Sequence, residues 1–200
     1  MYCFCENFGG STMIGNAKLW KSWLIVGVLL SAVMGLQAAN KRAILVTTKG
    51  SIEIELFADQ APQSVKNFED YTNEGYYDQT IFHRVIDGFV IQGGGFKTGM
   101  VQKKTKNPII NESGIKNDAY TIAMARTSDP NSATSQFFFN LRDNGFLDKS
   151  DTSDGYAVFG KVVSGMQVVD EIAKTPTTSQ GFYQDVPTED IVILRAKIVD

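Results

Sequence analysis

Thiols are missing from almost all of this 200-residue chain, because both cysteines, Cys3 and Cys5, lie within its first five residues. Downstream of them, the sequence cannot form a disulfide, a zinc site built on cysteines or a cysteine nucleophile. A domain without thiols is compatible with an oxidising compartment. Histidine is almost missing as well, since His83 is the single one. The serines therefore lack a spare histidine base, which argues against a hydrolase triad.

An excess of positive charge is also missing. Without Lys18, Lys21 and Glu6 of the N-terminal segment, 17 basic residues stand against 21 acidic ones, a net charge of −4. A nucleic-acid partner requires a basic face, so we expect none. The aspartates of segment 143–155 lack the spacing of an EF-hand, which indicates solvated loop carboxylates and no metal site.

Long uncharged stretches are absent except for one, from Ser22 to Asn40. Its apolar core follows two lysines and ends in small residues, which is the pattern of an export signal. We therefore expect residues 1–39 to be a signal peptide that directs residues 40–200 to the periplasm. The exit is imperfect, because Leu36 or Gln37 stands three residues before the candidate cleavage sites. The alternative is an uncleaved anchor, since about 17 apolar residues can just span a bilayer.

The remaining part, residues 40–200, has the length of one domain and is rich in short strand patterns. Strands are predicted at residues 42–57 (a hairpin), 80–85, 89–92, 120–125, 136–141, 157–162 and 191–199. Helical spacing predicts helices that start at Pro62, ending near Gly75, and at Gly165, ending near Ala173. Long polar loops are predicted at residues 97–114 and 143–155. Many short strands with two helices favour an antiparallel β-barrel.

The most informative stretch is FHRVIDGFVIQGGGF, residues 82–96. It places Arg84 and Gln92 among aromatic and aliphatic residues, and it supplies no nucleophile and no acid–base pair. A guanidinium in an apolar pocket suits a reaction that breaks no covalent bond, such as rotation about the peptide bond before proline. Strand alternation predicts that His83 faces away from the side of Arg84 and is structural. The glycines at 93–95 lack a phosphate-loop motif and predict a tight turn and close backbone approach.

Further motifs carry the same theme: SQFFFN at residues 135–140, NGFLD at 144–148 and YAVFGKV at 156–162. Together, FHRVIDGF, QGG, SQFF, FLD and VFGKV resemble the cyclophilin family of peptidyl-prolyl isomerases, over about residues 43–199. The segments ART at 125–127 and FLD at 146–148 look most like exported bacterial members. The resemblance implies a closed eight-stranded antiparallel β-barrel capped by two helices. It also implies a monomer without cofactor or metal that acts on proline-containing unfolded or extended polypeptides.

The resemblance implies that Arg84 is the catalytic residue. It also implies a substrate-binding set around the proline: Phe89, Val90, Gln92, Ala125, Arg126, Gln136, Phe138, Phe146, Leu147 and Tyr156. Phe146 stands where cyclosporin-sensitive members carry tryptophan, and Val90 where they usually carry methionine. Arg126 replaces a common asparagine, and Tyr156 a common histidine. These differences predict weak cyclosporin binding while leaving catalysis in place.

The predicted activity has a physical basis. Twisting a prolyl amide breaks its resonance, at a barrier of about 18–20 kcal/mol. A fixed cationic donor binds the twisted state more strongly, because the nitrogen regains its lone pair, and arginine stays charged. The sequence therefore predicts a peptidyl-prolyl isomerase that assists the folding of exported proteins. The alternatives are a non-catalytic binder of proline peptides, which would not need Arg84, and a membrane-tethered scaffold, if the N-terminal segment is not cleaved.

Overall fold

The computed structural model describes residues 41–199, so the predicted signal segment lies outside the described residues. The strands are β1 (Arg42–Thr47), β2 (Gly50–Leu56), β3 (Thr80–Ile86), β4 (Val90–Lys97), β5 (Val101–Gln102), β6 (Thr121–Met124), β7 (Phe137–Asn140), β8 (Val158–Ser164), β9 (Thr177–Gln180), β10 (Tyr183–Pro187) and β11 (Val192–Val199). The helices are α1 (Pro62–Asn73), α2 (Met166–Ala173) and a 3-10 turn, Gly145–Leu147. Among residues 41–199, none of the helices has the length and apolarity needed to cross a membrane.

Eight strands form a closed barrel in the order β3-β11-β1-β2-β8-β6-β7-β4, and the pairing of β4 with β3 completes the ring. The pairings around the ring are antiparallel. β5 adds a short strand beside β4, and β9 and β10 form a separate hairpin. The predicted eight-stranded antiparallel barrel with two helices is confirmed.

The barrel interior is filled by alternate residues of the strands. In β1 and β2 the inward side chains Leu45, Ile52 and Ile54 are fully buried, while their neighbours are partly exposed. The first helix packs on β8 and β11 and buries residues at helical spacing, including Phe68. Pro62 starts this helix as predicted, because its missing N–H has no helical partner to lose there.

A second, smaller apolar cluster lies on the outer face of β4, β6, β7 and β8. Each strand contributes one buried residue: Val90, Ala123, Phe138 and Val158. The neighbours Phe137 and Phe139 point the other way and belong to the barrel interior, as strand alternation predicts. The outer cluster is the base on which the candidate site is built.

The predicted turn at the three glycines is wrong. β4 continues through them to Lys97, so they lie inside a strand. The predicted close approach is present: a Cβ on Gly95 would lie 2.5 Å from Cγ of Gln136, and one on Gly94 2.8 Å from Cε1 of Phe137. No strand was predicted in the segment that forms β9 and β10.

Candidate active site

A cavity of about 150 Å³ opens on the outer apolar cluster. Cavities of about this volume hold a benzene ring in other proteins, so a proline ring fits. Its walls are Arg84, Phe89, Val90, Gln92, Ala125, Arg126, Phe138, Leu147 and Tyr156. The structure thus brings together nine residues of the predicted set. Gln136 and Phe146 lie beside the cavity rather than in its wall, and the roles of all eleven stay predictions.

Arg84 reaches this cavity because β3 is irregular. Phe82 pairs with Gly93 and Arg84 pairs with Gln92. Between these two pairs β3 moves on by two residues and β4 by one, so β3 contains a β-bulge. Phe82 and Val85 both face the barrel interior. His83 and Arg84 are therefore both left on the outer side, and both line a second cavity next to the first. The prediction that His83 faces away from Arg84 is wrong, because the bulge interrupts the alternation.

The Arg84 guanidinium is held at one edge only. Its Nε lies 3.9 Å from Oδ2 of Asp185 on β10, with both side chains about two-fifths exposed. Within residues 41–199 its other nitrogens donate no hydrogen bond, so they are available to a ligand. Sequence reasoning missed Asp185. The signal that could have found it is Gly181, which can begin a two-residue hairpin turn between the short runs TTSQ (177–180) and YQDVP (183–187).

Gln92 of β4 and Gln136, the residue before β7, form a pair beside Arg84. Nε2 of Gln92 donates to Oε1 of Gln136 at 2.8 Å. Gln136 is packed against Gly95, where any side chain would collide with it. Because Gln136 accepts this bond through its oxygen, its amide nitrogen can still donate to a carbonyl oxygen of a bound peptide.

The opposite wall is formed by an arginine lying over an aromatic ring. Cζ of Arg126 is 4.4 Å from the centroid of the Tyr156 ring. Its Nε and Nη2 donate to the carbonyl of Gly155, at 3.1 and 3.0 Å, and Nη1 donates to the carbonyl of Thr127 at 2.9 Å. These hydrogen bonds occupy the guanidinium of Arg126, so this residue forms part of the cavity wall. It differs in this from Arg84, whose guanidinium donates no hydrogen bond within residues 41–199.

The loop that carries Leu147 and Phe146 is fixed by buried asparagines that sequence reasoning also missed. Nδ2 of Asn144 donates to Oδ1 of Asn140 at 2.8 Å and to the Phe89 carbonyl at 3.2 Å. Nδ2 of Asn117 donates to the Leu147 carbonyl at 3.2 Å. Phe146 is 64% exposed and stacks on Phe89 with 5.5 Å between ring centroids. It extends the apolar rim of the cavity.

Electrostatics in the site differ between the two adjacent residues of the bulge. Burial lowers the pKa of His83 to about 4, helped by the nearby positive charge of Arg84 and opposed by contacts with the Ile81 backbone and Gln136. His83 is therefore neutral at pH 7, and its Nδ1 is buried without a partner among the described residues. Residues 41–199 contain no cluster of three or more His, Cys, Asp or Glu side chains placed to hold a metal ion. Asp148 and Asp143 instead accept loop N–H groups of Asn117 and Ala119 at 2.7 and 2.9 Å.

Comparison with known proteins identifies the family. Residues 43–198 match the sequence model of the family described as cyclophilin type peptidyl-prolyl cis-trans isomerase/CLD. The chain is 57% identical to peptidyl-prolyl cis-trans isomerase B of Escherichia coli, over 74% of this chain and 93% of that protein. It is 51% identical to a peptidyl-prolyl cis-trans isomerase of Acinetobacter baylyi, over 88% of this chain and 93% of that protein. A crystal structure of a Cryptosporidium parvum cyclophilin in the presence of the dipeptide Ala-Pro is similar, with a TM-score of 0.67 and 28% identity, over 80% of this chain and 99% of that one.

Proposed function

The chain belongs to the cyclophilin-type peptidyl-prolyl cis-trans isomerase family, and we propose that it accelerates rotation about X–Pro bonds by means of Arg84. The observation that carries this proposal is the position of the Arg84 guanidinium. It lies at the wall of an apolar cavity with room for one ring, and within residues 41–199 it donates no hydrogen bond. Proline-containing segments of unfolded or extended polypeptides are the proposed substrates.

The apolar floor holds the proline ring while the preceding carbonyl rotates. Val90 and Phe138 are 3% and 4% exposed, so the ring is placed on a dry surface. Removing water disfavours the planar, polar amide relative to the twisted one, because resonance gives the planar form its charge separation. The ring contacts also convert a free rotation into one in which only the N-terminal side of the peptide moves.

Arg84 stabilises the twisted state. As the amide leaves planarity its nitrogen regains a lone pair, and a positive donor fixed beside it binds this state more strongly than the planar one. A single preorganised donor contributes about 3–4 kcal/mol, whereas a rate gain on the order of 10⁵ requires roughly 7 kcal/mol. The remainder therefore comes from the cavity floor and from the Gln92–Gln136 pair that binds the peptide backbone. No proton is transferred, so the rate should vary little with pH while the protein stays folded.

The assigned role of Arg84 predicts a large rate effect of one substitution. We expect Arg84→Ala to lower kcat/KM for a short Ala-Pro peptide by two orders of magnitude or more, in line with the loss of a donor worth about 3–4 kcal/mol. Exchange spectroscopy by NMR measures the isomerisation rate directly. Arg84→Lys is the matched control, because it keeps the charge without the rigid fork and should retain an intermediate rate. A folded Arg84→Ala protein with an unchanged rate would remove this residue from the mechanism.

We further propose that the enzyme is exported and assists protein folding in the periplasm as a monomer. The lysines, the apolar run and the small residues before Asn40 support this proposal. N-terminal sequencing of the protein purified from its native host should give a start near Ala39 or Asn40. An intact N-terminus in the membrane fraction would favour the anchored alternative instead. Light scattering after size-exclusion chromatography measures the mass, and we expect that of one chain.

A further inference from the structure

A second cavity lies next to the proline cavity. It measures about 420 Å³, nearly three times the volume of the first, and it shares Arg84 and Gln92 as wall residues. The rest of its wall comes from His83, Phe96 and Gln136 and from residues 182–185 of the β9–β10 hairpin. We name it the hairpin cavity. Because the two cavities share walls, one extended polypeptide can occupy both.

The turn of the β9–β10 hairpin carries a solvent-exposed aromatic residue, Phe182. β9 and β10 are joined by Gly181 and Phe182 alone, and Gly181 has a φ of +60° whereas Phe182 has no positive φ. This is the pattern of a type II′ turn, which requires glycine at its first position but no aromatic residue at its second. Phe182 is nonetheless fully exposed, at 104% of its reference surface. Turn chemistry does not explain this residue.

Exposed aromatic side chains are concentrated at the two cavities. Among residues 41–199 the exposed aromatic side chains are Phe146, Phe182 and Tyr183, at 64%, 104% and 41%. Phe146 stacks on Phe89 at the rim of the proline cavity, and the other two line the hairpin cavity. Tyr183 also meets Phe96 edge to face, with 5.3 Å between centroids. Single exposed apolar residues need no explanation, but an exposed aromatic set confined to one groove indicates a binding surface.

Charge in the hairpin cavity is balanced. Arg84 and Asp185 contribute opposite charges and face each other at 3.9 Å, and His83 is neutral at pH 7. The cavity therefore offers no net charge with which to select a basic or acidic side chain. The contact between Asp185 and Arg84 also shows that the hairpin lies beside the proposed catalytic residue.

We propose that the hairpin cavity binds an aromatic side chain of the client polypeptide, within about two residues of the isomerised proline. The distance follows from the shared wall, since an extended chain advances about 3.3–3.6 Å per residue. Aromatic rings pair edge to face or with offset stacking, and the ring edges and faces of Phe182, Tyr183 and Phe96 supply such partners. The enzyme consequently prefers prolines that have an aromatic neighbour. This inference rests on the proposed function, and it adds a specificity that Arg84 and the proline cavity do not provide.

The test compares five peptides of equal length. The reference has alanine on both sides of one proline, and each of the others carries a single phenylalanine, one or two residues before or after that proline. NMR exchange measures kcat/KM without a coupling protease, whose own preference for phenylalanine would distort the comparison. We expect phenylalanine at one of the four positions to raise kcat/KM about five- to tenfold, through a lower KM. In Phe182→Ala the ratio of that peptide to the reference should fall close to one.

Leu194→Ala is the matched control, because Leu194 is another exposed apolar residue, at 45%, and it lines neither cavity. This variant should keep both the rate on the reference peptide and the preference for phenylalanine. If the wild type isomerises the reference but gains from phenylalanine at no position, the inference is overturned and the proposed function stands. An equal loss on all five peptides in Phe182→Ala would also overturn it. If the wild type isomerises none of the peptides, both proposals fail.

Discussion

His83 and Arg84 are adjacent in sequence and border the same cavity, yet near neutral pH one is uncharged and the other is a cation. The bulge in β3 creates this pairing, because it turns two consecutive side chains to the outer face of the barrel. The buried imidazole packs on Phe96, with 4.5 Å between ring centroids, while the guanidinium reaches solvent and ligand. The neutral His83 adds no second charge beside Arg84, and the opposite charge of Asp185 lies 3.9 Å from the Nε edge of the guanidinium.

The buried His83 predicts a stability that falls with acidity. Its pKa is about 4 in the folded protein and about 6.5 in an unfolded chain. The unfolded state therefore takes up the proton first as the pH falls below about 6.5. The contribution of His83 to the free energy of unfolding is therefore fully present above about pH 6.5 and declines as the pH falls toward 4. Below that pH it changes no further, and the total loss is about 3 kcal/mol. Urea denaturation followed by circular dichroism between pH 4 and 7 measures the decline.

His83→Gln is the comparison for this effect, because it removes the titrating group while the carboxylates, which also titrate in acid, remain. The difference between the two pH curves isolates the contribution of the histidine. Since His83 is the sole histidine of the chain, untagged protein gives one imidazole signal whose NMR titration reports the pKa directly. A midpoint near 6.5 in the folded protein would mean that the ring is solvated, contrary to its burial in the structure.

The position of Phe146 leads to a prediction about inhibition by cyclosporin. The residue is exposed at the cavity rim, and an indole in its place would add both contact area and an N–H donor. We expect Phe146→Trp to strengthen cyclosporin inhibition about tenfold, which corresponds to about 1.4 kcal/mol, with kcat/KM for a plain Ala-Pro peptide changed far less. Phe146→Tyr, which adds a hydroxyl but no indole, is the control. If the inhibition constant of Phe146→Trp equals that of the wild type, the assignment of this position is wrong.

At the scale of elements, strands and helices with a clear local pattern were predictable from the sequence. The β1–β2 hairpin, α1, α2 and β11 lie where alternation, Pro62 and helical spacing place them. Features that depend on distant residues were not. The N-terminus of α1 is capped by the carboxylate of Glu112, which accepts from the Ser64 N–H at 2.7 Å across 48 positions of sequence. No sequence pattern near the start of α1 indicates a capping partner this far along the chain.

The candidate active site likewise combines residues that were predictable from the sequence with features that were not. The nine residues that line the proline cavity were all predicted, because the motifs that carry them also carry the family resemblance. The bulge at His83, the ion pair of Asp185 and the asparagines that fix the Leu147 loop were not. Each of these depends on which strand or loop lies opposite, which is a property of register and tertiary contact. Alternation alone therefore placed His83 on the wrong face.

The close approach of β4 to Gln136 predicts a functional effect of Gly95→Ala. The added Cβ would lie 2.5 Å from Cγ and 2.8 Å from Cδ of Gln136, so that side chain must move and its 2.8 Å bond with Gln92 is lost. We expect kcat/KM for an Ala-Pro peptide to fall about tenfold, the scale of one hydrogen bond of about 1.4 kcal/mol. Peptide isomerisation followed by NMR exchange measures the change.

A double-mutant cycle shows whether Gly95→Ala acts through Gln136. In a Gln136→Ala background the side chain that would collide is truncated, so adding Gly95→Ala should cost less than about twofold. A tenfold loss in both backgrounds would place the effect elsewhere in β4. Gly114→Ala serves as the control for replacing a glycine, because a Cβ there meets nothing within 4 Å.

At the scale of the whole molecule, the barrel joins distant parts of the chain. β1 pairs with β11 from Arg42 and Val199 onward, so the first and last strands lie side by side, and β3 pairs with β4 to close the ring. Inward residues of the barrel strands fill the interior, and outward residues of four neighbouring strands form the apolar cluster on which the proline cavity opens. The same strand alternation therefore provides both stability and binding surface. A distortion of the ring should affect both.

Gly160 of β8 lies close to both neighbouring strands of the ring, and Gly160→Ala tests this packing. A Cβ at Gly160 would lie 2.5 Å from the backbone oxygen of Glu55 on β2 and 3.2 Å from Cγ2 of Ile122 on β6. Neither strand can retreat without breaking its own pairing, so we expect a loss of about 1–3 kcal/mol from overpacking. At about 2–4 °C per kcal/mol, the melting temperature should fall by roughly 2–12 °C. Thermal denaturation followed by circular dichroism measures it, with Gly114→Ala expected to stay within about 0.5 kcal/mol of the wild type. Equal melting temperatures for Gly160→Ala and Gly114→Ala would show that β8 has room for a methyl group, and that the ring is looser than its contacts indicate.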